Sequence, residues 1–203
     1  MLDALFDRNL RWAAGVNRAD PAYFARLSAQ QAPEFFWIGC ADSRVPANVV
    51  SGLEPGEVFV HRNVANVVHS SDLNLLSALE FAVDTLKVRE IILCGHYGCG
   101  GVRASCEDCS HGLVDHWIEP IRRLAARHAV ELESCGPEAA RLDRLAELNV
   151  RDGVGRLAET PILRAAWRRG APVRIHGLIY GIRDGLLRDL DCSVGSAAAM
   201  ETA

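Results

Sequence analysis

The stretches EFFWIGC and REIILCGH, ending at Cys40 and His96, are apolar at nearly every consecutive position, and that pattern leaves few folds open. A strand that alternates apolar and polar residues can show one face to water. One that is apolar throughout must be covered on both faces, which is the situation of a parallel sheet between helices. APVRIHGLIYGI reads as a further strand, and GEVFVHR, after the turn LEPG, as a short one. SSDLNLLSALEFAVDTLKV, between two of them, has helical period: Ser71 or Asp72 is its cap, and Leu73, Leu76, Leu79, Val83 and Leu86 are its expected buried stripe. Strands separated by helices predict an α/β fold with a mainly parallel sheet and helices on its faces.

Two leading segments do not belong to that alternation. Residues 2–15 have an amphipathic helical pattern, and ADPAYFARLSAQQAP reads as a second helix with Asp20 as cap and Pro21 in its first turn. They predict an N-terminal helical arm over residues 1–30 of a single domain spanning 1–203. The small, polar ending SVGSAAAMETA predicts a frayed terminus. A net charge of −4 argues against nucleic acid as a partner. No apolar run has the length of a membrane span, and the start MLDALFDRNLRW lacks the marks of a signal peptide, so a cytoplasmic location is expected. In that setting seven cysteines, an odd number, point to metal ligation, catalysis or burial rather than to a disulfide framework.

Ligands of open parallel sheets bind beyond the carboxyl ends of the strands. Cys40 stands at one such end and His96 at another; neighbouring strands lie about 4.8 Å apart. In GHYGCGG a glycine turn returns Cys99 to the same place, three residues after His96. Cys40, His96 and Cys99 make three zinc ligands, and three protein ligands with one open position is the pattern of a catalytic zinc. Cys94 competes with Cys99 but sits within IILC as a core thiol, and Cys106, Cys109 and His111 of CEDCSH form a rival cluster. Two thiolates cancel the double charge of zinc, so such a site needs help in activating water. Asp42, two residues past a ligand, offers a carboxylate, and the planar donor fork of Arg44 can hold it ionised. An ordinary surface ion pair is the other reading of Asp42 and Arg44.

CADSR together with HYGCGG strongly resembles the β-class carbonic anhydrases, whose paired motifs are Cys-x-Asp-x-Arg and His-x-x-Cys. The resemblance continues through DPAYFARL, LEPGEVFVHRNVANVV and IHGLIYGIRDG, most of the chain. It implies one zinc ion per chain on Cys40, His96 and Cys99, with Asp42 and Arg44 as catalytic dyad. It implies reversible hydration of carbon dioxide to bicarbonate and a proton, and a homodimer or homotetramer in which the arm embraces a neighbour. Trp37 and the run Val45-Pro46-Ala47 resemble the subtype regulated by bicarbonate. There Trp37, Arg62 and Tyr180 would form an allosteric bicarbonate pocket, and Asp42 would become the fourth zinc ligand in a closed state. Core packing is the competing role for Trp37. Phe59, Val64 and Phe81 are expected as apolar walls for the gas. Hydrolysis of another small heterocumulene such as carbon disulfide, or a non-catalytic zinc-stabilised assembly module, are the alternatives.

Overall fold

The computed structural model describes residues 2–195, which divide into two compact units, one up to Ala32 and one from Pro33 onward. The first holds α1 (Leu2–Ala19) and α2 (Tyr23–Ala29). α1 passes the expected end at residue 15, and Arg18 in its last turn suits the negative end of the helix dipole. Asp20 is not the cap of α2. It accepts from the Ala22 N–H at 3.1 Å and pairs with Arg26, in a turn that delays the helix to Tyr23. The Trp12 and Phe24 rings meet edge to face, 5.8 Å between centroids. No side chain of either helix is buried.

The second unit carries a five-stranded sheet in the order β2-β1-β3-β4-β5, with β1 (Phe35–Cys40), β2 (Val58–Asn63), β3 (Glu90–His96), β4 (Arg174–Gly181) and β5 (Leu186–Asp189). The first four strands in that order are parallel and β5 is antiparallel to β4. The expected mainly parallel sheet flanked by helices is therefore the fold. β5 is an addition, made by a hairpin through Asp184-Gly185 in which Gly185 has φ +73°.

The inner strands β1, β3 and β4 send alternate side chains to two faces, while the edge strands β2 and β5 are partly exposed. Phe36, Ile38, Ile91, Leu93, Ile175 and Ile179 enter the main core. α8 (Glu138–Ala158) packs there on β3 and β4 through residues including Val150 and Val154. Trp37 and Cys94 point the other way, joining Ala47 of α3 (Ala47–Ser51) in a smaller cluster. α4 (Leu73–Glu80) is capped by Asp72, whose carboxylate accepts from Asn74 N–H. Its buried residues are Leu75 and Leu79, continued by Ala82 and Val83 in a π turn over Phe81–Thr85, whereas Leu73 is 78% exposed. Of the expected stripe, Leu79 and Val83 are buried and Leu76 and Leu86 half-buried; Leu73 alone faces out, and Leu75 is buried in its stead. α5 (Gly100–Ala104), α6 (Leu113–Arg127), α7 (Ala129–Ser134) and α9 (Pro161–Arg168) complete the unit. Among the described residues no helix is long and apolar enough to cross a membrane. Val194, expected to fray, bridges to Ile175; residues 196–203 of that segment lie outside the described residues.

Candidate metal centre and catalytic pair

Because β1 and β3 are direct parallel neighbours, with Gly39 opposite Cys94, Cys40 and His96 leave the sheet side by side. The chain then turns at Gly98, whose φ of +67° is left-handed territory open to glycine, and Cys99 returns at the start of α5. The three donor atoms of Cys40, His96 and Cys99 lie within 4.8 Å of one another, and all three residues are buried. Cys94 is absent from this group. It is buried beside Trp37, and desolvation pushes its thiol far up in pKa.

His96 Nδ1 is 3.1 Å from the Tyr97 carbonyl. A neutral imidazole that donates there presents its lone pair on Nε2, and that atom is buried with no partner among the described residues. The two sulfurs are 3.9 Å apart. Two thiolates on a tetrahedral zinc, each at ~2.3 Å, are separated by ~3.8 Å. The donor set therefore fits zinc in kind, in spacing and in the direction of its one unsatisfied nitrogen. The ionisation pattern agrees. Donation from the Cys99 thiol lowers Cys40 well below the usual thiol range against the opposing effect of burial, with His96 assisting. Holding that proton, and burial, drive Cys99 strongly upward. Burial lowers His96, but the negative charge of the adjacent Cys40 sulfur carries it above the usual value. A cation removes the conflict by accommodating both sulfurs as thiolates.

Asp42 sits over this group with Oδ2 3.8 Å from His96 Nε2. Its carboxylate accepts from Arg44 Nε at 3.0 Å, Arg44 NH2 at 2.6 Å and the Arg44 backbone N–H at 2.9 Å. Those bonds, first of all the side-chain ones, hold its carboxyl well below the usual range. It is an ionised acceptor in a fixed orientation. Arg44 borders a cleft of about 350 Å3 that also exposes Tyr97, Arg103, Asp143 and Arg183.

Of the three residues expected as a bicarbonate pocket, Trp37 and Tyr180 share one apolar cluster, while Arg62 stands on β2 beside Gly39. Trp37 is 3% exposed and shares its cluster with Tyr180, which pairs with His96 across β3 and β4. Its indole lies so close over Gly39 that a Cβ there would stand 2.5 Å from Trp37 Nε1. Arg62 pairs with Gly39 in the sheet and donates to backbone carbonyls: Nε to Cys40 at 2.8 Å, NH2 to Asp42 at 2.5 Å and to Val45 at 3.5 Å. It splints the loop that carries Asp42 and Arg44. Among the expected wall residues, Phe59 stacks between Phe36 and Phe81, and the Val64 side chain lies against Gly101, two residues past Cys99.

Sequence reasoning passed over the part that α8 plays. Glu147 accepts from the Tyr97 hydroxyl at 2.7 Å and is itself held by Arg144, while Asp143 accepts from Gly98 N–H at 3.3 Å. Buried Asn149 donates to the Ala65 carbonyl at 2.9 Å, fixing a residue at φ +61°. Glu147 and Asp143 thus anchor the turn between His96 and Cys99, and Asn149 the bend at Ala65, from a helix more than forty residues downstream. No local motif marks them. The rival cluster is corrected in its membership: Glu107, not Cys106, joins Cys109 and His111 within 4.8 Å.

The family model described as carbonic anhydrase matches residues 35–187. The chain is 42% identical over 189 residues to a carbonic anhydrase of Emericella nidulans, covering 93% of this chain and 83% of that one. A tetrameric β-carbonic anhydrase of Sordaria macrospora superposes with a TM-score of 0.90 at 38% identity, over 96% of this chain and 98% of that one. Coccomyxa β-carbonic anhydrase, in complex with acetazolamide, gives a TM-score of 0.92 at 38% identity, over 100% and 91%.

Proposed function

The chain belongs to the β-class carbonic anhydrase family, and from that premise we propose that Cys40, His96 and Cys99 hold one zinc ion per chain while Asp42 and Arg44 direct the chemistry beside it. The reaction is the reversible hydration of carbon dioxide to bicarbonate and a proton. When bound, zinc supplies the Lewis acidity that makes water nucleophilic near neutral pH. The protein supplies the rest. Asp42, ionised and with both oxygens engaged by Arg44, accepts a hydrogen bond from the reacting water and fixes the lone pair that attacks the carbon. Arg44 acts as a positioning residue for Asp42. Arg62 holds the loop through three carbonyls. The observation that carries this reading is the buried, unpartnered His96 Nε2 facing two sulfurs 3.9 Å apart. The test is stopped-flow carbon dioxide hydration with zinc analysis. Cys40→Ser is expected to lose both metal and turnover, and Asp42→Asn to keep the metal and lose turnover; full activity in Asp42→Asn would overturn the role of the pair.

A finer reading concerns regulation. Trp37, Arg62 and Tyr180 are proposed as a bicarbonate pocket, supported by the shared cluster of Trp37 and Tyr180 and by the hold of Arg62 on the Asp42 loop. An anion that draws Arg62 away releases those carbonyls and lets Asp42 leave Arg44 for the metal. Bicarbonate inhibits by this route only if it binds the released state better. Inhibition by bicarbonate that disappears in Arg62→Ala while simple product inhibition remains is the expected result. Identical inhibition in both proteins would refute the pocket. The chain is also proposed to assemble as a homodimer or homotetramer, since Leu2, Leu5, Phe6 and Leu10 of α1 are apolar and exposed. A monomer at micromolar concentration by sedimentation would contradict that.

A further inference from the structure

The geometry points to a second transition-metal site, on the loop between α5 and α6, formed by Glu107, Cys109 and His111. Among the described residues this is the one other group in which three ligand atoms of metal-binding type converge within 4.8 Å. The separations are Cys109 Sγ to His111 Nε2 3.5 Å, Cys109 Sγ to Glu107 Oε2 3.7 Å, and His111 Nε2 to Glu107 Oε2 2.9 Å. A tetrahedral ion with ordinary zinc bond lengths places a sulfur ~3.6 Å from both a nitrogen and an oxygen ligand, and the nitrogen and oxygen ~3.4 Å apart. The two sulfur separations are already at these values. The third is shorter because the imidazole and the carboxylate share a hydrogen bond.

The loop is held in place from below. Asp115 accepts from Ser110 Oγ at 3.0 Å and from His111 N–H at 2.9 Å, and Arg122 holds its other oxygen at 2.6 Å. None of the three ligand side chains is used in that clamp, so they are free to face one another. One sulfur, one nitrogen and one oxygen ligand suit a borderline cation such as zinc or cobalt and disfavour magnesium and calcium, which want oxygen throughout. Glu107 and Cys109 are exposed, and three protein ligands leave a coordination position open to solvent. The site is therefore a labile one, filled after the buried group and emptied before it. This inference does not depend on the assignment of the buried group.

The test is equilibrium dialysis of the purified full chain against zinc, with cobalt absorption as a second readout. Wild type takes up two equivalents, and Cys109→Ala or His111→Ala takes up one. Cys106→Ser still takes up two, because Cys106 is outside the group, and Cys40→Ser retains the loop equivalent with the one-thiolate cobalt spectrum. Excess magnesium leaves the second equivalent in place. Saturation of wild type at a single equivalent that Cys109→Ala retains and Cys40→Ser loses overturns the inference, as does loss of the second equivalent in Cys106→Ser with retention in Glu107→Gln. Unchanged uptake in Cys109→Ala also overturns it.

Discussion

The Cys40–His96–Cys99 group and the Glu107–Cys109–His111 group stand at the two sides of one short helix, α5, and each draws on thiolate and imidazole donors, yet they are opposite in surroundings. At the first, all three side chains are buried and the ring nitrogen that faces the sulfurs has no partner. A buried polar atom left unpaired costs about 1–3 kcal/mol, so the folded chain is biased toward whatever cation satisfies it. At the second, the donors reach water and one another, and a metal must displace those interactions before it gains anything. Ligand identity is thus a weak guide to affinity. Burial and the rigidity of the supporting shell set it.

Substitutions at the ligands sharpen the contrast most. Cys40→Ser or Cys99→Ser is expected to abolish zinc retention at the buried group and reduce carbon dioxide hydration to background, because a neutral hydroxyl replaces a thiolate. Cys109→Ala leaves hydration within about twofold and stability within about 0.5 kcal/mol, as for other surface changes. Stopped-flow assays and metal analysis read both. Equal losses in the two classes would erase the distinction.

Next in size is the catalytic pair. Asp42→Asn removes an ionised acceptor without touching a ligand, so zinc content is retained while kcat falls by about 10²–10³-fold. Since the carboxylate–arginine pair of the second group, Asp115–Arg122, is committed to Ser110 and the His111 backbone, metal bound only there, as in Cys40→Ser, gives no hydration above background.

The supporting shell gives smaller effects. Gly39→Ala puts a Cβ against the buried Trp37 indole beside Cys40, an overpacking that costs roughly 1–3 kcal/mol and lowers Tm. Tyr97→Phe removes the bond to Glu147 and costs about 1 kcal/mol, with zinc leaving the buried group about tenfold faster in a chelator chase. At the loop, the side-chain bond from Arg122, followed by the His111 N–H, brings the Asp115 carboxyl down to about 2. A carboxyl lowered on folding stabilises above its unfolded value and loses that contribution as pH falls through the folded one. The loop clamp is accordingly intact from neutrality to about pH 4, and loss of loop metal over that range reports protonation of the ligands themselves. Amide exchange at His111 checks this: protection that vanishes in step with the metal would contradict it.

How far the site could be read from the chain follows the same division. Cys40 and His96 were legible because a continuously apolar strand has a definite end, and the ends of neighbouring parallel strands are close in space. Cys99, Asp42 and Arg44 follow by short spacing from those ends. Asp143, Glu147 and Asn149 were not legible, because their partners on the His96–Cys99 turn and at Ala65 are met only when α8 packs on β3. Arg62 illustrates a subtler gap: its place beside Gly39 was foreseeable, but that its donors meet three carbonyls of the Cys40–Val45 loop depends on a side-chain direction that periodicity does not encode. The strand β5 was missed although Asp184-Gly185 is a hairpin signal, and the first residue of the α4 stripe was misassigned because Leu73 and Leu75 are equally apolar and only packing chooses between them.

The central claim is that the buried group, and not the loop, holds the zinc that works. X-ray absorption at the zinc edge, on protein loaded with one equivalent and assayed for hydration from the same sample, tests it most directly. The account predicts two sulfur neighbours and one nitrogen neighbour about the metal in fully active protein. A single sulfur with mixed nitrogen and oxygen neighbours in equally active protein would contradict it.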